Sequence, residues 1–291
     1  MYKIQYFIFK TFRYILLLFP EKVRFKFAEK LGIIGFYLIK KRRLIALANL
    51  ELAFPEKTIQ ERKKIAKESY KIMAKAFLST LWFEDYLKTN VDLEDFDRVA
   101  SIKERGNGIV VALIHMGNME ASLKAGEKYK VVTVAKTQRN PYIDNFITEA
   151  RKKLNVTLLK KSKQTSRELL EEIEKKNVVA LFTDHRDKGS KVEFFGEETV
   201  SPTGVINIAL KNGLPLVIAY NVMHEDNTCT TYFTKELELI KTNSFKNDVR
   251  VNTQLMMNVI ENIIRNYPNQ WMWFHDRWKL YKKIKDKNLK D

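Results

Sequence analysis

One cysteine stands among the 291 residues. Cys229 alone can build neither a disulfide framework nor a multi-cysteine metal or iron–sulfur centre. It lies between Thr228 and Thr230 on an expected strand, with no base beside it, and reads as an inert side chain. Histidine is scarce too, with four in all. No two of them share metal-ligand spacing, so no metal is expected. Gly-x-Ser-x-Gly elbows and phosphate-cradling glycine loops are missing. Long apolar runs are missing from the N-terminal region, where the longest uncharged stretches are 14–20 and 31–39. A membrane-spanning helix needs about 20 mostly apolar residues. No small-residue cleavage site follows an apolar core, so a cleaved signal peptide is not expected.

What is present is apolar mass and positive charge. Apolar residues make up 45% and aromatics 12%, enough for a sizeable core, which excludes a disordered chain. The formal net charge is +17. Residues 1–50 hold eleven Lys/Arg against two Glu, and residues 276–291 hold seven against three Asp. The basic excess therefore belongs to the two ends. A nucleic-acid binder is the first reading of such a charge. At the N-terminus, however, the cations are interleaved with Phe, Tyr, Ile and Leu, which suits an anionic membrane surface better. On a helical wheel Lys3, Lys10 and Arg13 fall within an arc of about 80°. After Pro20-Glu21 a second apolar stretch runs from Val23 to Ile39. Lys40-Lys41-Arg42-Arg43 follows, able to hold anionic head groups at about 1 kcal/mol per charge. The plainer alternative is two amphipathic helices packed on a domain. We expect residues 1–43 to be a helical membrane-associating segment and 44–291 a single domain, helical over 44–100 and α/β over 101–291.

From 44 to 90 apolar positions recur at helical spacing, interrupted by a turn at Phe54-Pro55-Glu56. Thr58 and Glu61 have capping-box spacing. Beyond residue 100 short apolar runs alternate with amphipathic segments. Strands are expected at 108–115, 129–135, 177–184 and 216–222, with an edge strand within 229–240. Helices are expected at 141–154, 166–176, 205–211 and 249–266. This alternation predicts an α/β fold with a mostly parallel sheet flanked by helices.

Open α/β sheets bind ligands beyond the carboxyl ends of their strands. Two such ends carry titratable groups. The first is His115-Met116-Gly117-Asn118-Met119-Glu120. A neutral imidazole can take a proton from an attacking hydroxyl, and a carboxylate on its other nitrogen would fix the tautomer. On a helix the two would lie about 140° apart, so the pair meets only if the chain turns, which Gly117 permits. A helix starting near Glu120 would aim free N–H groups at an oxyanion. As a spacing alone the motif is weak, and a strand-end His with an exposed Glu is the plainer reading. The second end is Asp184-His185-Arg186-Asp187, which as a charge run reads as a solvated loop. Glu193-Phe194-Phe195-Gly196 interrupts a polar loop; exposed Phe pairs can line an apolar tunnel, but a loop folding back on its core is the commoner reading. Trp271, Trp273 and Trp278 beside Arg277 and Lys279 suit a membrane interface or a closed core.

In order along the chain, several of these segments resemble the late acyltransferases of lipid A biosynthesis, the lauroyl/myristoyl acyltransferase family. They are Asn49-Leu50 with Phe54-Pro55-Glu56, His115 to Glu120, Asn140-Pro141 with Arg151, and Phe194-Phe195-Gly196 with Pro202-Thr203-Gly204 and Ala209. The last is Tyr267-Pro268-Asn269-Gln270-Trp271-Met272-Trp273 with Arg277-Trp278-Lys279. The resemblance covers about residues 40–280. It implies a glycerolipid-acyltransferase-like fold at the cytoplasmic face of the inner membrane. It implies transfer of a fatty acyl group from acyl carrier protein to a hydroxyl of a lipid A precursor, with no cofactor beyond the acyl donor. His115 would be the general base and Glu120 its orienting partner. Arg151 would be an anion or substrate contact and Asp184 a structural or substrate contact. Gly117, Asn118, Phe194, Phe195 and Gly196 would support or bind substrate. Met119 departs from the pattern, standing where the family usually has Trp. The same chemistry on another glycolipid or a lysophospholipid is the alternative. A non-enzymatic peripheral membrane or nucleic-acid-binding protein is the distant one.

Overall fold

The structure is a computed structural model and describes residues 1–282. The C-terminal basic cluster noted above lies mostly outside the described residues. Five helices lead the chain: α1 (Tyr2–Leu17), α2 (Glu21–Leu38), α3 (Lys40–Ala53), α4 (Ile59–Ser79) and α5 (Phe83–Asn90). α4 starts where Thr58 and Glu61 form the expected capping box: the Glu61 amide donates to Thr58 Oγ1, and the Thr58 amide to the Glu61 carboxylate.

The α/β part begins with β1 (Val91–Glu94) and α6 (Phe96–Glu104). β2 (Ile109–Leu113), β3 (Val131–Ala135), α7 (Pro141–Lys152), β4 (Val156–Lys160), α8 (Thr165–Glu174) and β5 (Val178–Phe182) follow. After a hairpin of β6 (Ser190–Phe194) and β7 (Glu197–Ser201) come α9 (Gly204–Asn212), β8 (Leu216–Met223), β9 (Cys229–Phe233) and α10 (Phe245–Asn266). Seven strands form one sheet in the order β1-β9-β8-β2-β5-β3-β4. Only the β8–β9 pair is antiparallel. The parallel architecture expected from the alternation is therefore present. β2 is buried at all five positions, as a central strand covered on both faces must be.

β1, β4 and the β6–β7 hairpin were not expected. β1 and β4 sit at the two edges of the sheet, where one unpaired side leaves room for polar residues such as Asp92, Glu94 and Lys160. The hairpin replaces the polar loop anticipated around Glu193. Lys191, Glu193, Glu197 and Glu198 face outward, while Val192 and Phe194 are buried.

α1 packs inward through Tyr6, Phe9, Arg13 and Leu16, at helical spacing. Tyr6 and Phe9 meet the aromatic rings of Tyr142 and Phe146 on α7. Arg13 leaves the expected cationic face: its Nε–H donates to the Leu81 carbonyl at 2.7 Å. The opposite face is apolar and open, with Phe7 70% and Leu18 66% exposed, and α2 continues it to Leu38, 77% exposed. Among the described residues no helix is long and apolar enough to cross a membrane.

At the amino ends of β3 and β5, Glu172 accepts hydrogen bonds from Lys130, Lys175 and Asn177. Burial alone would raise its pKa. These donors outweigh burial and hold it at about 2, below the ordinary 4.5. A depressed carboxyl contributes stability above its unfolded pKa, and that contribution disappears as pH falls through the folded value. Glu172→Gln should therefore cost about 1 kcal/mol at neutral pH, discounted because both lysines are partly exposed. It should also flatten the loss of stability between pH 4.5 and 2. Urea titrations across that range measure it; an unchanged pH slope would show that the three donors do not act through charge.

Candidate active site

β2 and β5 lie side by side, with Leu113 opposite Phe182. Two residues beyond each strand end stand His115 and Asp184, so the register that pairs the strands also brings these side chains together. The Thr183 amide donates to the Leu113 carbonyl at 3.0 Å, and the His115 amide to Asp184 Oδ2 at 2.9 Å. His115 Nδ1 is 2.8 Å from Asp184 Oδ1, and Trp271 Nε1–H donates to Oδ2 at 2.7 Å. Asp184 is 2% exposed. Burial by itself would raise its pKa. The His115 imidazole and the hydrogen bonds from His115 and Trp271 overcome that and hold the carboxyl well below the usual carboxylate range.

A carboxylate against Nδ1 makes that nitrogen the N–H donor and leaves the lone pair on Nε2. Among the described residues Nε2 has no hydrogen-bond partner. The ring stacks on Phe182 with centroids 4.1 Å apart, and the side chain remains 21% exposed. This is the arrangement of a base oriented from behind and open in front.

Glu120 does not orient His115. No hydrogen bond joins the two among the described residues. Gly117, at φ +58°, turns the chain as expected, but it sends Glu120 to Arg151 in the last turn of α7, with which it forms an ion pair. The segment after Glu120 is a 3-10 helix (Ala121–Glu127), and its first amides are already used. The Glu120 amide donates to Asn118 Oδ1, and the Ala121 amide to the Asn118 carbonyl. The turn therefore has fewer free N–H groups than an α-helix start would offer. The cation beside it is Arg151.

Asn118 is fully buried and donates to Ser79 Oγ at 3.0 Å, so it braces the turn instead of facing a substrate. Phe194 and Phe195 are also core. They pack on Trp271, Trp273, Trp278 and Phe54, and Gly196 is the tip of the β6–β7 hairpin. The folded-back reading of this segment holds and the tunnel reading does not. The tryptophan-rich segment likewise closes the core. The Met272 amide donates to the His115 carbonyl at 3.1 Å, and the Gly117 amide to the Gln270 carbonyl at 2.9 Å. Asn49 and Ser69 hold the same segment from α3 and α4, through the carbonyls of Trp273, His275 and Trp271.

Three contributors were not assigned to the site from sequence. Trp271 donates to Asp184, and Phe182 backs the imidazole. Arg277 is wholly buried, donating to Thr199, Val200 and Ser201 under the face of Phe194. Burial pushes its pKa down to about 10, against the field of Asp184. The one available signal was positional: Phe182 and Asp184 share the strand end that carries the second polar cluster.

His115, Asp184 and His185 bring ligand atoms within 4.8 Å of one another. Both Asp184 oxygens already accept N–H groups and His115 Nδ1 is committed to one of them, while His185 Nδ1 is buried without a hydrogen-bond partner among the described residues. Burial lowers the pKa of His185 and of the nearby His275, which favours their neutral forms.

Beside the pair opens a pocket of about 160 Å3 bounded by Met119, Glu120, Arg151 and Phe182. It shares Leu113, Ser122, Leu123 and Thr133 with an apolar void of about 20 Å3 that reaches Phe96 and Tyr129. The site thus has an open base, a cation and an apolar recess.

The chain is similar to known proteins along nearly its whole length. The family model described as bacterial lipid A biosynthesis acyltransferase matches residues 1–280. The lipid A biosynthesis palmitoleoyltransferase of Escherichia coli K12 is 24% identical over 270 residues, covering 89% of this chain and 86% of that protein. The lauroyltransferase of the same organism is 24% identical over 274 residues with the same coverage. A lipid A biosynthesis acyltransferase of Haemophilus influenzae is 21% identical over 272 residues, covering 90% and 83%. Among solved structures, the 1-acyl-sn-glycerophosphate acyltransferase of Thermotoga maritima aligns over 81% of this chain and 97% of its own, at 15% identity and a TM-score of 0.40. The family match over residues 1–280 is decisive: the chain belongs to the bacterial lipid A biosynthesis acyltransferases.

Proposed function

We propose that the protein moves a fatty acyl group from acyl carrier protein to a hydroxyl of a lipid A precursor, at the cytoplasmic face of the inner membrane. The observation that carries the chemistry is the His115–Asp184 pair with Nε2 unpartnered and its ring stacked on Phe182, which lines the Arg151 pocket. Nε2 takes the proton of the acceptor hydroxyl, and the oxygen attacks the thioester carbonyl. Asp184 stabilises the imidazolium that forms. Arg151, held by Glu120, offers positive charge to the tetrahedral oxyanion. The C–S bond then breaks, and the imidazolium returns its proton to the departing thiolate. A thioester is reactive enough that no cofactor is needed. Leu113, Leu123, Ile147 and Leu158 give the pocket an apolar wall, along which the donor's acyl chain would enter.

The partners follow from the surface. Acyl carrier proteins are acidic, and a chain of net charge +17 would steer one electrostatically. The open apolar faces of α1 and α2, flanked by lysine and arginine, suit a helix pair lying in an anionic interface. The experiment is a transfer assay with detergent-purified protein, acyl carrier proteins bearing C12, C14 and C16 chains, and a tetraacylated lipid A precursor. Mass spectrometry should show the precursor gaining one acyl group, with one chain preferred. No gain from folded protein would overturn the assignment of donor and acceptor.

A further inference from the structure

A second cavity lies on the other side of the segment that pairs with His115. It is a groove of about 390 Å3 between α2 and α4, lined by Leu31, Gly35, Met73, Ala74 and Phe77. The size is within the range of small-molecule and lipid sites. It opens among exposed apolar residues of α2 and α4, since Leu31 is 41% and Phe77 53% exposed. Met272, Phe274 and His275 line it from the C-terminal segment. Met272 is hydrogen-bonded to the His115 carbonyl, and His275 Nε2 accepts from the Arg186 amide at 3.1 Å, two residues past Asp184. The groove therefore connects the apolar outer face to the backbone that carries the base and its carboxylate.

Two polar features sit in this apolar surround. Tyr70 lines the groove and is 7% exposed, yet its hydroxyl has no hydrogen-bond partner. Burial pushes its pKa up to about 12, partly countered by Arg42 and Arg43, so it stays a donor at any working pH. A buried hydroxyl without a partner is costly, and a ligand acceptor would relieve it. Arg42 also lines the groove, with one guanidinium N–H on the Phe274 carbonyl. Among the described residues no carboxylate pairs with Lys40, Lys41, Arg42 or Arg43. An apolar channel with unpaired cations beside it fits an alkyl chain attached to a phosphorylated head.

We propose that this groove holds an acyl chain already present on the phosphorylated glycolipid acceptor, with Arg42 receiving a phosphate of that acceptor and the Tyr70 hydroxyl an ester or amide oxygen. The reading deepens the proposed function and rests on it for the identity of the lipid. It separates the two substrates: the donor's chain enters beside Glu120 and Arg151, and the acceptor's chain enters between α2 and α4.

Gly35 allows a direct test. A Cβ there would meet only Tyr70 Cδ1, at 3.9 Å, so a larger side chain grows into the groove without displacing backbone. Gly35→Leu and Ala74→Phe should each raise KM for a tetraacylated, phosphorylated precursor about ten-fold or more. KM for the acyl-carrier-protein donor and the melting temperature should stay near wild type. Arg42→Ala should raise KM for the phosphorylated precursor more than for its dephosphorylated counterpart. Independently of turnover, a phosphorylated precursor carrying a terminal diazirine on one acyl chain should crosslink the full-length protein at Leu31, Met73, Ala74, Phe77 or Met272. Unchanged acceptor KM in both filling variants, or crosslinks confined to residues around Glu120 and Leu123, would overturn the proposal. If wild-type protein transfers no acyl group to the precursor, the functional reading fails, while the crosslink map still decides the groove.

Discussion

His115→Ala should lower acyl transfer by about 10²–10⁴-fold with the fold intact, and Asp184→Asn should follow it closely. The His115 side chain lies at the surface of the site, 21% exposed, and its removal opens no large void. Asp184→Asn acts through the tautomer. An asparagine oxygen can keep the bond from Trp271, but its amide then faces His115 Nδ1 as a donor. Nδ1 must accept, the proton moves to Nε2, and the nitrogen that should abstract a proton no longer can. Glu120→Gln should be milder, about ten-fold, because a glutamine oxygen can still hold Arg151 through a neutral hydrogen bond. The ranking is the discriminating measurement. If Glu120→Gln proved as severe as His115→Ala while Asp184→Asn kept most activity, the His-x4-Glu pairing suggested by spacing would be the working one, and the pairing across β2 and β5 would be wrong. Rates should be taken with thermal unfolding of each variant, since Asp184 is fully enclosed and shares its field with the buried Arg277.

Gly117→Ala should destabilise the protein by about 3–5 kcal/mol and abolish activity with it. Two independent costs add. At φ +58° a side chain is strained by about 1–2 kcal/mol. A Cβ at this position would also lie 2.3 Å from the Asn221 carbonyl oxygen, which is backbone of the central strand β8 and cannot move aside. The turn is pinned from the other side by the Gln270 carbonyl, so it cannot swing out either. Gly196→Ala is the control. It has a similar positive φ but nothing within 4 Å of a Cβ, and should cost only the conformational part, about 1 kcal/mol. Equal losses for the two variants in urea unfolding would show that the approach to Asn221 does not matter.

The proposed chemistry places ordinary groups in ordinary protonation states. No oddly tuned acid is required, because the carboxylate that orients the base is itself fixed in the charged form by three N–H donors. The departure at Met119 bears on fit, not chemistry: its side chain borders the pocket beside Glu120, so a thinner, more flexible wall stands where the family usually has an indole.

The linear chain was enough to read the alternation of strands and helices, the capping box at Thr58, the polar strand ends at His115 and Asp184, and the apolar, cationic character of the first 43 residues. These are local properties: periodicity, caps and composition are set within a few residues. It was not enough to say which strands are neighbours. β2 and β5 are 69 residues apart in register, and only their adjacency in the sheet makes Asp184, not Glu120, the partner of His115. Spacing along the chain favoured the nearer carboxylate, because five residues is a distance that sequence can measure and a crossover through β3, α7, β4 and α8 is not. The same limit hid the core role of Phe194, Phe195 and the tryptophans. An aromatic cluster reads alike whether it meets a lipid or its own interior, and only the packing of the β6–β7 hairpin on the segment after α10 decides between them.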